Sequence, residues 1–350
     1  MSEDQSKIIA IDCRKINHYG IGNVVKALLN ALIKSKFKVL ALGNPPQLAK
    51  FYPKVSILNF NSDHNNPFAY LSLRKALKGR EIDCLIAPHY VGVWKIEIPL
   101  VMYLHDFLHL KYPSNILYPY VCKKLIQHAV RSVDLVLTPS QYTKDLAKNY
   151  ELNSVSWEIL SPPVKEIYLN QKPERKEGFY LAVLSNLKPH KGGYELIKLW
   201  KNNFPKLIIA GNVKELKRFE RDNIVVLPDP EDNELLELYK KALWLIIPSF
   251  DEGYGYCYLE SRFTYTPVIA RPIPSYNEFR LPCDIICRDF SDYTFLEAIE
   301  KSLNVDQAHD LRDFAAIQSK FDGKLFQVKL ISILDWLIDA RDFTRLDLSA

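Results

Sequence analysis

The chain has 350 residues, of which 48% are hydrophobic and 25% charged, and its formal net charge is +5. This is the balance of an ordinary globular protein with ample material for a core, and two domains are the better prior. There is no apolar run of about eighteen residues, and the start, MSEDQSKIIAID, lacks an apolar stretch of signal-peptide length; a chain without a transmembrane span or secretory leader, soluble or peripheral and cytoplasmic, is therefore expected.

The net charge hides an asymmetry. Residues 1–165 carry 21 Lys/Arg against 12 Asp/Glu, or +9; the remainder carries 25 against 29, or −4. A basic front half suits an anionic partner or an anionic membrane surface. Helix-turn-helix and RNA-motif patterns are missing, so nucleic acid is not expected. The six cysteines form no CxxC, and they read as buried free thiols rather than a zinc site.

The first strand is Lys7–Asp12. Gly20-Ile21-Gly22-Asn23 then reads as a loop before an amphipathic helix in which Val24, Val25, Leu28, Leu29 and Leu32 fall at helical spacing. Glycines before a helix let the backbone approach a phosphate. Val25 stands where a dinucleotide fingerprint needs its third glycine, which argues against NAD. FKVLALG, DCLIAPHY and IPLVMYLHD read as strands and NPFAYLSLRKALKGR as a helix. This alternation predicts a parallel, doubly wound sheet. His105 falls at the carboxyl end of one of these strands, where functional residues of open α/β sheets collect. YPYVCKKLIQHAVRSV reads as a helix. DLVLTPSQYTKDLAKNY reads as strand, turn and helix, with Ser140 as the cap. Ser161–Gly178, rich in Pro and charge, reads as an interdomain linker.

In the second half, FYLAVLSNL is a strand, Lys188–Gly193 a loop and YELIKLWKNN a helix. Lys191 in that loop is placed to neutralise a diphosphate. LIIAGN is a strand ending at Gly211-Asn212. The stretch Trp244–Arg271 reads as strand, glycine-spaced loop (Asp251-Glu252-Gly253-Tyr254-Gly255), helix and strand, one βαβ unit whose loop is where ligands bind. Glu252 lies in the loop and Glu260 about two helical turns further on. Carboxylates repel an anion but accept strongly from hydroxyl groups, so the hydroxyls of a sugar or a ribose are their expected partners. An apolar piece, DIICRD, and two helices follow, the last being KLFQVKLISILDWLIDA.

PSFDEGYGYCYLE resembles the PSxxEGFGxxxxE string of the family 4 retaining glycosyltransferases of GT-B fold. LHDFLHLKYP is similar to their HDLxxxxxP string, Gly20–Asn23 to their GIGR(Y) loop, and SNLKPHKG to their GRxxxxKG loop. DLVLTPSQYTK and NIVVLPDPEDNELLELYKKA match further segments in the same order, so the resemblance covers about residues 7–300. It implies two Rossmann-like domains facing a cleft. The first spans 1–165 on the acceptor side, the second spans 166–325 and binds the nucleotide sugar, and a helix at 326–350 returns to the first. It also implies retaining, metal-independent transfer of a hexose from a nucleoside-diphosphate sugar to a glycan, lipid-linked or other cell-envelope acceptor. No cofactor is implied, because the nucleotide sugar is a substrate, and the expected location is cytoplasmic, peripheral on the inner membrane face. His105, Glu252 and Lys191 take catalytic roles by this resemblance. Gly20, Gly22, Asn186, Lys191, Gly211, Glu252, Gly253, Tyr254, Gly255 and Glu260 bind the donor. Three positions depart from the family: Asn23 and Asn186 replace Arg, and Pro228 replaces Gly. They support the alternative of a decayed nucleotide-sugar-binding or scaffold subunit of the same fold.

Overall fold

The computed structural model describes residues 6–63, 66, 68–113, 115–304 and 311–347. The chain forms two compact units, residues 1–163 with 323–350, and residues 164–322. Unit 1 begins with β1 (Ile8–Asp12), α1 (Tyr19–Ile33), β2 (Lys38–Gly43), α2 (Pro45–Phe51), β3 (Ser56–Asn59), α3 (Ala69–Leu77) and β4 (Cys84–Ala87). It continues with β5 (Leu100–Tyr103), α4 (Leu108–Lys111), α5 (Tyr118–Ser132), β6 (Leu135–Thr138), α6 (Gln141–Lys148) and β7 (Ser156–Ile159). Unit 2 begins with β8 (Phe179–Leu184), α7 (Gly193–Leu199), β9 (Lys206–Gly211), β10 (Ile224–Pro228), α8 (Asp232–Lys241) and β11 (Trp244–Ile247). It continues with α9 (Tyr256–Phe263), β12 (Val268–Ala270), β13 (Ile285–Ile286), α10 (Asp292–Asn304) and α11 (Leu311–Phe321); α12 (Lys324–Asp347) belongs to unit 1.

Both sheets are parallel. Their orders are β3-β2-β1-β4-β5-β6-β7 and β10-β9-β8-β11-β12-β13, so the doubly wound α/β expectation holds for each unit. The central strands CLIA, LVMY, LVLT and WLII are buried at every position, as parallel strands covered on both faces must be. In α1, Val24, Val25, Leu28, Leu29 and Leu32 form the buried seam. The amphipathic last helix adds Phe326, Leu330, Leu334 and Leu337 to that same core, and Gln327 donates through Nε2 to the Ala31 carbonyl at 3.1 Å. Ser140 caps α6, its Oγ accepting from the Thr143 N–H at 3.2 Å.

Four local readings change. The glycine loop at Gly20–Asn23 is the first turn of α1, because the helix starts at Tyr19 behind a tight turn in which the His18 N–H donates to the Lys15 carbonyl. Residues 164–178, read as linker, belong to unit 2: Val164 and Tyr168 are buried in its core, and the Lys176 ammonium donates to the Lys240 carbonyl at 2.8 Å. The apolar content of that stretch is too short to show a period but sufficient to fill a core. The helix read over Asn66–Arg80 is the shorter α3, and Pro67 of that stretch lies outside the described residues. Among the described residues three helices, not two, follow DIICRD. Among the described residues no helix is long and apolar enough to cross a membrane.

Candidate active site

Strands β8 and β11 are neighbours in the second sheet, yet β8 continues to β9 on one side and β11 to β12 on the other. This is a topological switch point, the place where open α/β sheets bind ligands beyond the carboxyl ends of their strands. Gly192 follows β8 with φ +67°, and a Cβ there would lie 2.4 Å from the Pro248 carbonyl oxygen after β11. Only glycine lets the two loops come this close. They are joined by the Phe250 N–H donating to the His190 carbonyl at 2.7 Å. The approach brings Lys191 Nζ to 2.6 Å from Glu252 Oε1, which also accepts from Ser249 Oγ at 2.8 Å. The two charged side chains keep 12% and 18% of their surface in solvent, so the pair is reachable by a ligand.

Helix α9 starts immediately beyond this pair. Its N-cap is Gly255, at φ +100°, where a Cβ would strike the Tyr276 ring at 2.7 Å, and no side chain caps its first turn. Uncapped N–H groups at a helix start favour an anion. Gly253 and Tyr254 are buried, and the Tyr254 ring packs edge-on against Tyr256 and Phe279. Gly211 closes β9 at the same carboxyl edge, its carbonyl accepting from the Asp229 N–H at 2.8 Å.

Glu260 is a buried carboxylate rather than a surface one. Its Oε2 accepts from the Tyr239 hydroxyl at 2.9 Å. Burial pushes its pKa up to about 7, opposed by Lys165 and by the Tyr239 bond. The Cys257 thiol, pushed up to about 12 by burial, feels both Glu260 and Glu252, so both acids border the start of α9. The far end of that helix is fixed by Arg262, whose Nη2 donates to both Asp284 oxygens at 2.7 and 2.9 Å with neither side chain exposed.

Asn186, at the position where the family carries Arg, turns its side chain into its own loop. Its Oδ1 accepts from the Lys188 N–H at 3.1 Å, which closes a local turn. Arg271 is not available to replace that arginine. The guanidinium is buried, donating to the Pro248 carbonyl at 3.2 Å, the Asp289 carbonyl at 2.6 Å and Glu195 Oε2 at 2.6 Å, under the Phe250 ring.

Gly20, Gly22 and His105 belong to unit 1. Gly20 is exposed in the first turn of α1; Gly22 is buried against the Ile16 backbone. His105 follows β5, and its Nε2 lies 2.8 Å from the Pro88 carbonyl. That carbonyl can only accept, so Nε2 carries the proton. Burial pushes the imidazole down to about 4, against the pull of Pro88 and Asp106; the ring is neutral at pH 7.

Sequence reasoning missed several neighbours. In unit 1, Asp12 ends β1, where Arg14 grips it bidentately at 2.6 and 3.0 Å, and His89 Nε2 lies 3.5 Å from the same carboxylate. Strand-end position was the one available signal for Asp12 and His89, as it was for His105. In unit 2, Ser249 and Tyr239 orient Glu252 and Glu260. Ser249 stands inside the PSxxEGFG string and was legible there.

Residues 19–165 match the family described as Glycosyltransferase Family 4, and residues 164–313 match Glycosyl transferases group 1. The O-antigen chain mannosyltransferase RfbU of Salmonella typhimurium is 29% identical over 225 residues, 60% of this chain and 62% of that protein. The first curated relatives are thus matched over less than two thirds of their own lengths. Among solved structures, sucrose-phosphate synthase of Thermosynechococcus elongatus superposes with a TM-score of 0.78 at 13% identity, covering 95% of this chain and all of that one. Anabaena HepE in complex with UDP and glucose does so at 0.73 and 15% identity, over 94% of this chain and 99% of that one. At such identities these likenesses show the fold.

Proposed function

Because this chain belongs to the family 4 glycosyltransferases of GT-B fold, we propose that it binds a nucleoside-diphosphate hexose on unit 2 and transfers the hexose, with retention, to a cell-envelope glycan or lipid-linked acceptor. The observation that carries this reading is the Lys191–Glu252 pair at the switch point of the second sheet. An ammonium and a carboxylate 2.6 Å apart suit the two ends of a sugar diphosphate. Lys191 donates to the diphosphate, and Glu252 accepts from hydroxyls of the sugar. The uncapped start of α9 adds its N–H groups to the leaving phosphate. Glu260 accepts from the ribose hydroxyls, and His105, a neutral imidazole of unit 1, is the residue that the family resemblance assigns to the donor sugar.

In the reaction the anomeric C–O bond to the diphosphate breaks and its electron pair leaves with the nucleotide. The acceptor oxygen bonds to the same face of the anomeric carbon and its proton passes to the departing phosphate oxygen. Lys191 and the α9 N–H groups stabilise the charge that builds there, so their effect grows toward the transition state. Nothing in this scheme requires a metal. The mannosyltransferase name of the Salmonella relative and the UDP and glucose of the HepE complex support a hexose donor and an envelope acceptor. The cytoplasmic side, where nucleotide sugars are available, is the location this reading requires.

A scaffold subunit that binds the donor without transferring it is the second reading, favoured by the side chain of Asn186 turning into its own loop. Calorimetric titration with a panel of nucleoside diphosphates, paired with chromatography of nucleotide released from the matching sugars, tests both. One nucleotide should bind and its sugar should turn over. If no nucleotide binds the folded protein, both readings fail.

Glu260 gives a second test. Between pH 4.5 and 7 the folded chain holds a proton that the unfolded chain has released, so its stability falls as pH rises through that window. Glu260→Gln should abolish the fall and melt above wild type at pH 8. It should also weaken nucleotide binding by roughly tenfold, because a hydrogen bond to a charged group is worth about 1.5–3 kcal/mol. Parallel melting curves for the two proteins from pH 5 to 8 would refute the buried, raised carboxyl. Unchanged nucleotide affinity would refute its ribose role.

A further inference from the structure

The geometry points to a membrane-docking face on unit 1: the start of α5, with Ile116 and Leu117 at its tip, seats in the headgroup region of an anionic bilayer. Among the described residues, large apolar side chains left in solvent are mostly scattered, but here they are consecutive. Ile116 is 94% exposed, Leu117 74%, Tyr120 66% and Val121 52%. Contiguous exposed apolar surface of this kind marks an interaction site rather than a packing accident.

The chain holds this tip in shape. Asn115 Oδ1 accepts from the Tyr118 N–H at 2.8 Å, and Pro119 stands in the first turn of α5. A side-chain bond and a fixed φ therefore present Ile116 and Leu117 on a turn rather than on a loose loop. Leu117, Tyr120, Lys124 and His128 follow at helical spacing along one face. Trp94, itself partly exposed, lies against the His128 ring at 4.1 Å. Aliphatic residues at the tip and Tyr and Trp behind them are the order found at a membrane–water interface.

Charge selects the occupant. From Phe107 to Val133 the sequence holds Lys111, Lys123, Lys124 and Arg131 and no Asp or Glu. Lys124 lies over the Tyr120 ring at 5.8 Å, so the ammonium borders the apolar tip. Lys123 reaches Glu151 only at 3.9 Å across an exposed gap, a pairing that costs little to exchange for lipid phosphate. The positive end of the α5 dipole points the same way. A neutral protein surface would complement the apolar tip but not this one-signed rim; an anionic bilayer complements both. Since no described helix is long and apolar enough to span, the contact is interfacial.

Sedimentation with phosphatidylcholine vesicles, with and without phosphatidylglycerol, tests this on the full chain. Wild type should partition onto the anionic vesicles and be released by raised salt. Ile116→Asp with Leu117→Asp should lower the partition coefficient roughly tenfold or more, since two anchors are lost and two like charges are added. Both positions are solvent-exposed, so circular dichroism should show an intact fold. Lys124→Glu should weaken binding and flatten its salt dependence. Phe51→Asp, at an exposed aromatic outside this stretch, should bind like wild type. Failure of wild type to sediment with anionic vesicles at low salt overturns the proposal, as does equal sedimentation of the double variant. So does self-association that the double variant abolishes without any vesicle binding, because the face would then belong to a second copy. Nucleotide binding is independent of all these outcomes, so they do not bear on the donor site.

Discussion

Lys191→Ala is expected to lower both nucleoside diphosphate affinity and transfer. The diphosphate is present in ground state and transition state, and Lys191 is its proposed cation in both. Losing one charge-assisted contact should cost affinity about 1.5–3 kcal/mol, or roughly ten- to a hundredfold. Transfer should fall further, by about 10³, because charge on the leaving group is larger in the transition state. The variant also frees Glu252, whose carboxylate keeps only the Ser249 hydroxyl at 2.8 Å and the solvent it already meets. Lys191→Ala with Glu252→Gln separates these effects: if the single loss came from an unpaired acid repelling the diphosphate, the double variant regains affinity. Calorimetry and a coupled nucleotide-release assay read both quantities. Wild-type affinity in Lys191→Ala would remove Lys191 from the diphosphate site.

His105→Ala is expected to behave differently. His105 belongs to unit 1, whereas Lys191, Glu252 and Glu260 belong to unit 2, so nucleotide affinity should stay within about a factor of three. Transfer should fall by about 10² or more, confined to the chemical step. The imidazole pKa of about 4 adds a sign. The ring is neutral throughout pH 5–8, so wild-type transfer should show no inflection near the ordinary histidine value that His105→Ala removes. His105→Asn, which keeps a polar side chain of similar reach, should recover part of the rate. Transfer by His105→Ala at the wild-type rate would make this a structural histidine.

The two sheets were legible because a parallel strand buried on both faces is an uninterrupted apolar run, as in WLII and LVMY, and glycine loops punctuate the runs. Lys191 and Glu252 were legible one by one as a lysine and an acid in strand-end loops. Their contact was not, since it joins residues 61 apart through the Gly192–Pro248 approach. Glu260 was placed correctly on its helix but not in its environment. Its hydrogen-bond partner Tyr239 comes from α8, and Tyr168, close enough to feel its charge, comes from a stretch read as linker. The start of α1 was misread because Gly20 and Gly22 advertise a loop, while tight packing on Ile16 explains Gly22 inside a helix. Asp12 and His89 carried no signal beyond their strand-end positions, and sheet order alone brings the ends of β1 and β4 together.

The claim that this protein is a retaining transferase is tested most directly by the product's anomeric centre. Wild-type protein is incubated with the nucleotide sugar that binds it, carbon-13-labelled in the hexose, and with a membrane-derived acceptor extract. The one-bond carbon–proton coupling at the anomeric carbon is then read by NMR in the donor and in the product. A retaining transferase yields a new glycoside with the donor's anomeric configuration. An inverted product, or a donor that stays intact while its nucleotide binds, would contradict that claim.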